Sequence, residues 1–244
     1  MDSIFKKWQT PALIALSALA LWAGGQVLIH KLYPSYLIHG VSMTPNIEPE
    51  RIYPAEAPGV PTRHNIYMFN PALLNSKHVD HPDGDYIKRL VGLPGDTLQF
   101  QLHDGALISI NGLPVTRTQT NAFRSFSMTS KLKESKGVSF DSHPYMLAVG
   151  DVRYAVYEPA PETFQSADPR LKDYLKTAFH FPWLAEHATL GQDIVTIKVP
   201  DGYLFALSDN RVAGADSRHF GLFPVAAMVK KVHLTDDILS TIHP

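Results

Sequence analysis

Hydrophobic positions along the chain fall into two regimes. From Pro11 to Ile29 the run PALIALSALALWAGGQVLI carries no charge. As a helix rising about 1.5 Å per residue it reaches roughly 28 Å, close to the ~30 Å hydrocarbon core of a bilayer. Lys6 and Lys7 precede it, only Lys31 follows closely, and Trp22 and Tyr33 sit where an outer interface would lie. This bias favours a cytoplasmic N-terminus and an exported remainder. A cleaved leader would need a shorter apolar core followed by a small-x-small site. The residues after the run are His-Lys-Leu-Tyr-Pro. The pattern therefore predicts a single uncleaved transmembrane helix over 11–30, with 1–10 cytoplasmic and 34–244 exported.

Beyond Pro34 the apolar runs become short and alternate with turn residues, the pattern of a mostly β domain. Tyr36–Ile38 is short and apolar, and Asn65–Phe69 reads as a strand closed by Asn70-Pro71. Tyr86–Val91 is a strand running into Gly-Leu-Pro-Gly-Asp. Thr97–Leu102 and Leu107–Ile110 form a hairpin, followed by an Asn111-Gly112 turn. Tyr145–Val149 and Val152–Tyr157 are further strands, as are Ile194–Val199 and Tyr203–Leu207 on either side of Pro-Asp-Gly. Val225–Leu234 is expected as the last strand. Asn75–Gly84 and Asn121–Ser142 read as polar loops and Glu158–Ala167 as a linker. Asp168-Pro169 caps a short helix over Arg170–Phe179. No internal repeat is present.

Composition narrows the chemistry. The 244 residues suffice for one large or two small domains. A net charge of −1 gives no footprint for nucleic acid. With no cysteine, disulfides, thiolate zinc sites and cysteine nucleophiles are excluded. His78-Val79-Asp80-His81 has metal-ligating residue types at tight spacing. No third anchor of recognisable spacing follows and no HExxH occurs, so no metal is assigned.

Three stretches carry candidate chemistry. In the first, YIKRLVGLPGD from Tyr86 to Asp96, strand alternation puts Tyr86, Lys88 and Leu90 on one face and Ile87, Arg89 and Val91 on the other. A lysine beside an arginine is most often a solvated surface charge. Between an aromatic and an aliphatic side chain, however, an ammonium is desolvated and its pKa depressed. In the second, GVSMTPN, Ser42 would by itself pass for a turn residue. It is not a nucleophile elbow, because Gly40-x-Ser42-x-Thr44 lacks the second glycine. The third, SDNRVAGADSRHFG from Ser208 to Gly221, alternates charge through Asp209, Arg211, Asp216 and Arg218. It follows a hydrophobic strand and carries Phe220, so it reads as a packed loop rather than a solvated one.

Taken in order, SMTPN, DYIKRLVGLPGD and VPDGYLFALSDNRVAGADSRHFG resemble the serine, lysine and C-terminal boxes of bacterial type I signal peptidases, including their conjugative-transfer relatives. The resemblance spans the anchor, about 34 to 112 and about 195 to 230. Residues 116 to 187 carry no matching motif. It implies a mainly β protein: a single transmembrane helix followed by a two-part antiparallel β-sheet catalytic domain. The core would comprise about 34–112 and 194–234, with an inserted subdomain at about 113–193.

The resemblance further implies a membrane-bound serine endopeptidase of the bacterial inner membrane, catalytic on the outer face, without cofactor. Its partners would be preprotein signal peptides and the lipid bilayer, not nucleic acid. Ser42 matches the nucleophile and Lys88 the general base. Ile38, Met43, Ile47, Tyr86 and Ile87 match residues lining small apolar pockets, which explain cleavage after Ala-x-Ala. Asp209, Asn210, Arg211, Asp216 and Arg218 match structural supports. The oxyanion would be held by the Ser42 N–H. Three positions depart from the pattern: Gly40 lacks a second oxyanion hydroxyl, Gly214 stands where a serine often holds the lysine amine, and Ser208 replaces a glycine. These departures keep two alternatives open: a peptidase dedicated to one client, such as a conjugative pilin or secretion-system protein, and a non-catalytic anchored scaffold. A self-cleaving repressor is excluded, since an anchor rather than a DNA-binding motif precedes the boxes.

Overall fold

The computed structural model describes residues 15–25, 28, 34–74, 84–101, 105–119, 142–159 and 187–234. Residues 15–25 are helical. Among the described residues no helix is long and apolar enough to cross a membrane. The rest of the 11–30 run, apart from residue 28, lies outside the described residues, as do the predicted helix over Arg170–Phe179, most of both polar loops and the His78–His81 segment.

Fourteen strands form two antiparallel sheets of seven. The first contains β1 (Ser35–Ile38), β2 (Arg51–Glu56), β3 (Ile66–Phe69), β4 (Tyr86–Gly92), β12 (Tyr203–Leu207), β13 (Phe223–Pro224) and β14 (Met228–Val232), in the order β1-β2-β14-β3-β4-β12-β13. The second contains β5 (Thr97–Gln101), β6 (Leu107–Ile110), β7 (Leu113–Gln119), β8 (Ser142–Val149), β9 (Val152–Pro159), β10 (Ala188–Leu190) and β11 (Ile194–Lys198), in the order β10-β11-β5-β6-β7-β8-β9.

Strand β4 is the hinge of this arrangement. It pairs with β3 along one edge and with β12 along the other, and Ile87 to Gly92 are all buried. A strand buried on both faces reads as a hydrophobic run, yet this one carries Lys88 and Arg89. Val91 points into a core shared by both sheets, where Phe205 and Leu207 of β12 meet Leu98, Phe100, Ile110, Val195 and Ile197. Tyr86 and Leu90 join a second cluster with Tyr67, Phe69, Leu204 and Phe223, as alternation requires.

The turn from β4 to β5 is fixed by Asp96. Its carboxylate accepts from Leu93 N at 2.6 Å, from Asn111 Nδ2 at 2.7 Å and from Arg63 at 2.6–2.7 Å. Gly95 takes φ +85 in the same turn, a region L-residues rarely adopt. Gly92 is glycine for want of space. A Cβ there would meet Leu98 Cδ1 at 2.8 Å, Phe205 Cβ at 2.9 Å and Val199 Cγ2 at 3.0 Å. Gly92→Ala is expected to destabilise by about 1–3 kcal/mol, read as a lower urea midpoint at unchanged slope. A wild-type midpoint would mean that the three neighbours yield.

Several boundaries differ from the expectations. The last strand does not begin at Val225. Pro224 ends the pairing with Tyr203, and residues Val225–Ala227 form one 3-10 turn before β14 starts at Met228. Glu158 and Pro159 are not linker but the end of β9, where Glu158 is drawn in by Arg117 of β7 at 2.8 Å. Strands β2, β7, β10 and β13 have no counterpart among the predicted elements. Asn111 and Gly112 (φ 52 and 78) do form the turn expected of them, and it joins β6 to β7.

Candidate active site

Ser42 lies in the tight segment between β1 and β2, and Lys88 lies on β4. Asparagine side chains stitch the serine segment to the C-terminal box. The Asn210 backbone N–H donates to Ser42 O at 2.9 Å. Its Nδ2 donates to Thr44 Oγ1 at 3.2 Å and Val41 O at 3.3 Å. Thr44 Oγ1 donates back to Val41 O at 2.8 Å. Asn46 Nδ2 reaches Asp209 Oδ2 and Ala155 O, both at 2.7 Å. The segment is thereby held in a single position against both sheets.

This scaffold brings Lys88 Nζ to 3.0 Å from Ser42 Oγ. The amine also donates to Ile87 O at 2.7 Å and lies 5.8 Å from the centre of the Tyr86 ring. Lys88 is 4% exposed. Burial disfavours its charged form, and the attraction of Asp216 and Asp209 only partly offsets this, so its pKa falls from 10.5 to about 8. At pH 7 roughly one lysine in ten is then neutral, against one in a few thousand for an ordinary lysine.

The acids near Lys88 are engaged elsewhere. Asp209 is fully buried and takes both ends of the Arg89 guanidinium, Nε at 2.7 Å and Nη2 at 2.6 Å. Asp216 accepts from Arg218 at 2.8 and 2.9 Å and from Ser208 N at 2.8 Å. Its burial opposes ionisation, but Arg218 and His219 outweigh that and hold its carboxyl well below the usual range. Asp216 also caps the single-turn helix Ser217–Phe220, whose Phe220 stacks on Tyr86 at 5.0 Å. The Arg211 N–H donates to Tyr157 O at 2.9 Å, tying β9 to the same loop. These charges form a frame around the lysine.

The five pocket candidates divide. Ile38, Met43, Ile47 and Ile87 pack in one cluster with Ile66 and Met68, and Met43 and Ile47 are closed to solvent. Tyr86 belongs to the cluster on the opposite face of β4. Around Gly40 nothing lies within 4 Å of an added Cβ, so packing does not demand glycine there. Among the described residues the Ser42 N–H has no hydrogen-bond acceptor, and no cluster of three His, Asp or Glu side chains could hold a metal.

Asn46 and Thr44 had escaped notice in the sequence. Their only signal was their place in SMTPN, beside a serine that needs holding. His64 had also gone unremarked. It stacks near Tyr154 at 5.4 Å, and burial with the charges of Arg63 and Arg89 pushes its pKa down to about 4. It is neutral at physiological pH and adds no positive charge beside Arg89.

A family model described as signal peptidase, peptidase S26, matches residues 8–235, nearly the whole chain. The chain belongs to the signal peptidase S26 family. This places it among serine endopeptidases that process signal peptides and are membrane-associated in bacteria. The signal peptidase I of Bacillus caldolyticus is 22% identical over 205 residues, covering 82% of this chain and 78% of that protein. The signal peptidase I of Buchnera aphidicola subsp. Acyrthosiphon pisum (strain APS) is 25% identical over 194 residues, covering 70% of this chain and 52% of the relative, about half its length. A crystal structure of a signal peptidase I from Enterococcus faecalis V583 aligns with 69% of this chain and 92% of that one, at 22% identity and a TM-score of 0.29.

Proposed function

We propose that this signal peptidase removes N-terminal signal peptides from exported preproteins after small, Ala-x-Ala-like residues, with Ser42 as nucleophile and Lys88 as general base. The observation that carries this reading is the 3.0 Å contact between a buried Lys88 Nζ and Ser42 Oγ. A surface lysine would be charged and could not accept a proton.

Neutral Lys88 takes the Ser42 hydroxyl proton as Oγ attacks the scissile carbonyl. The oxyanion forms at the Ser42 N–H, which is free to donate to it. The resulting ammonium protonates the departing amine, which leaves as the mature N-terminus. The amine, neutral again, deprotonates a water that attacks the acyl-enzyme. It then returns that proton to Ser42 as the ester breaks. Lys88 handles every proton of the cycle.

The substrate is read as an extended strand. Among the described residues β12 pairs with β4 only from Arg89 to Gly92, which leaves the Tyr86–Ile87 edge of β4 unpaired on that side. Ile38 and Ile87, each under a tenth exposed, would wall shallow apolar pockets for the small side chains before the cleaved bond. Residues 11–30 would cross the inner membrane once, with 1–10 inside and 34–244 outside. Leu37 and Ile52, cross-strand neighbours on β1 and β2, are 49% and 67% exposed and offer an apolar edge to the bilayer beside the site.

The test is cleavage of a model preprotein bearing Ala-x-Ala, in detergent, by wild type and Ser42→Ala across pH 6 to 9. Protonation of Lys88 removes the base, so kcat/KM is expected to fall about tenfold per unit below pH 8 and to level off above it. Ser42→Ala is expected to be inactive throughout. Cleavage by Ser42→Ala, or a flat profile with chemistry rate-limiting, would overturn the assignment.

A further inference from the structure

Ser208 is fully buried, and its hydroxyl oxygen has no hydrogen-bond partner. A buried hydroxyl is ordinarily satisfied, so each exception calls for a reason. Three observations show where this one belongs.

The first is register. Strand β12 pairs with β4 through Ala206↔Leu90 and Leu207↔Arg89. The next step places Ser208 opposite Lys88, and directly opposed residues of an antiparallel pair project to the same face. The second is space. A Cβ on Gly214 would lie 2.1 Å from Ser208 Oγ and 2.2 Å from its Cβ. The Ser208 side chain thus fills the volume that a side chain at 214 would take. Gly214 is not in the left-handed region, so space rather than backbone conformation makes it glycine. The two departures at 208 and 214 therefore meet in space, the Ser208 hydroxyl occupying the place of a side chain at 214.

The third is hydrogen-bond capacity. A neutral amine has one lone pair and two N–H groups. In the proposed mechanism the lone pair faces the Ser42 hydroxyl, and one N–H goes to Ile87 O. One N–H of Lys88 and one buried oxygen of Ser208 are left over. The charged groups around them, Asp209, Asp216 and Arg218, are committed to Arg89 and to each other. The Ser208 N–H is fixed on Asp216, which anchors its backbone.

We propose that Ser208 is a positioning residue whose hydroxyl accepts the remaining N–H of the Lys88 amine and so aims the lone pair at Ser42. This rests on the Ser42–Lys88 reading above.

The experiment uses the full chain in detergent and compares wild type, Ser208→Ala and the double variant Ser208→Gly/Gly214→Ser. Preprotein cleavage and the Lys88 titration, followed by NMR of lysine labelled at Cε, are measured on each. Ser208→Ala is expected to lower kcat about 10- to 100-fold with KM unchanged. It removes a single side-chain hydrogen bond, so the melting temperature is expected to fall only modestly. Losing an acceptor for the ammonium lowers the Lys88 midpoint. The double variant returns a hydroxyl to the same space and is expected to recover kcat to within about threefold. The Asn210 carbonyl, 2.9 Å from the new Cβ, must yield slightly; should the double variant fail to fold, Ser208→Ala alone decides. A wild-type kcat in Ser208→Ala overturns the proposal, as does a loss of activity with the Lys88 midpoint unmoved. If the wild-type chain itself fails to cleave, the peptidase reading falls, and the Lys88 midpoint still decides whether Ser208 holds the amine.

Discussion

Replacing Lys88 with methionine is expected to abolish cleavage and, at neutral pH, to stabilise the protein. The first effect follows from losing the amine 3.0 Å from Ser42 Oγ, the general base of the proposed mechanism, and the rate is expected to fall at least about a thousandfold. The second follows from the same burial that makes the lysine useful. Its pKa is lowered by burial from 10.5 to about 8, so at pH 7 the folded state carries a penalty of about 3 kcal/mol. Methionine fills a similar volume without a charge. It leaves the Ile87 carbonyl without its side-chain donor, an offset of about 1 kcal/mol. The net gain is about 2 kcal/mol. The sign with pH is fixed by linkage. Between pH 8 and 10.5 the unfolded lysine binds a proton that the folded one has lost, so wild-type stability rises with pH through that window. The advantage of Lys88→Met is therefore largest below pH 8 and shrinks toward pH 10.5. Urea titrations of both proteins at pH 7 and pH 10 measure it. A methionine variant less stable than wild type at pH 7, or a gap that does not narrow, would mean that burial does not lower the Lys88 pKa.

What was legible in the sequence followed period and turn chemistry. Ile87, Arg89 and Val91 separate from Tyr86, Lys88 and Leu90 because a strand has period two, and the clusters keep those faces apart. Gly-Leu-Pro-Gly-Asp and Asn-Gly announced turns because positive φ demands such residues. Strand β7 escaped because its inward positions are Val115 and Arg117, and an inward arginine does not read as an apolar alternation. Strand β2 escaped because Pro54 interrupts the run Arg51–Glu56. The Ser42–Lys88 pairing was legible only through resemblance. Nothing local to either residue says that 46 positions close to 3.0 Å. The meeting of Ser208 and Gly214 was visible only as two unrelated departures, because their overlap in space has no trace in sequence.

Removing Asp209 is expected to cost much of the fold's stability and to take activity with it. Its carboxylate is fully buried and engages Arg89 through two bonds. Arg89 is 5% exposed, so Asp209→Ala leaves a buried guanidinium charge without this carboxylate, with Nη1 still donating to the His64 carbonyl. Breaking one half of such a pair costs about 3–5 kcal/mol. The stacking of Arg89 over Tyr154 at 4.7 Å does not replace a carboxylate. The same oxygen that serves Arg89 also receives Asn46, and the adjoining Asn210 holds the Ser42 carbonyl. The serine segment therefore loosens as the arginine is uncovered, and a displacement near 1 Å suffices to lose about a hundredfold in rate. Replacing both partners with apolar residues separates the two consequences. Arg89→Met/Asp209→Leu removes the stranded charge and is expected to recover most of the stability. It does not restore the acceptor for Asn46, so cleavage stays low. Equal stability loss in the single and double variants would show that the pair acts through packing rather than charge. Wild-type cleavage in the double variant would show that Asn46 holds the serine segment without Asp209.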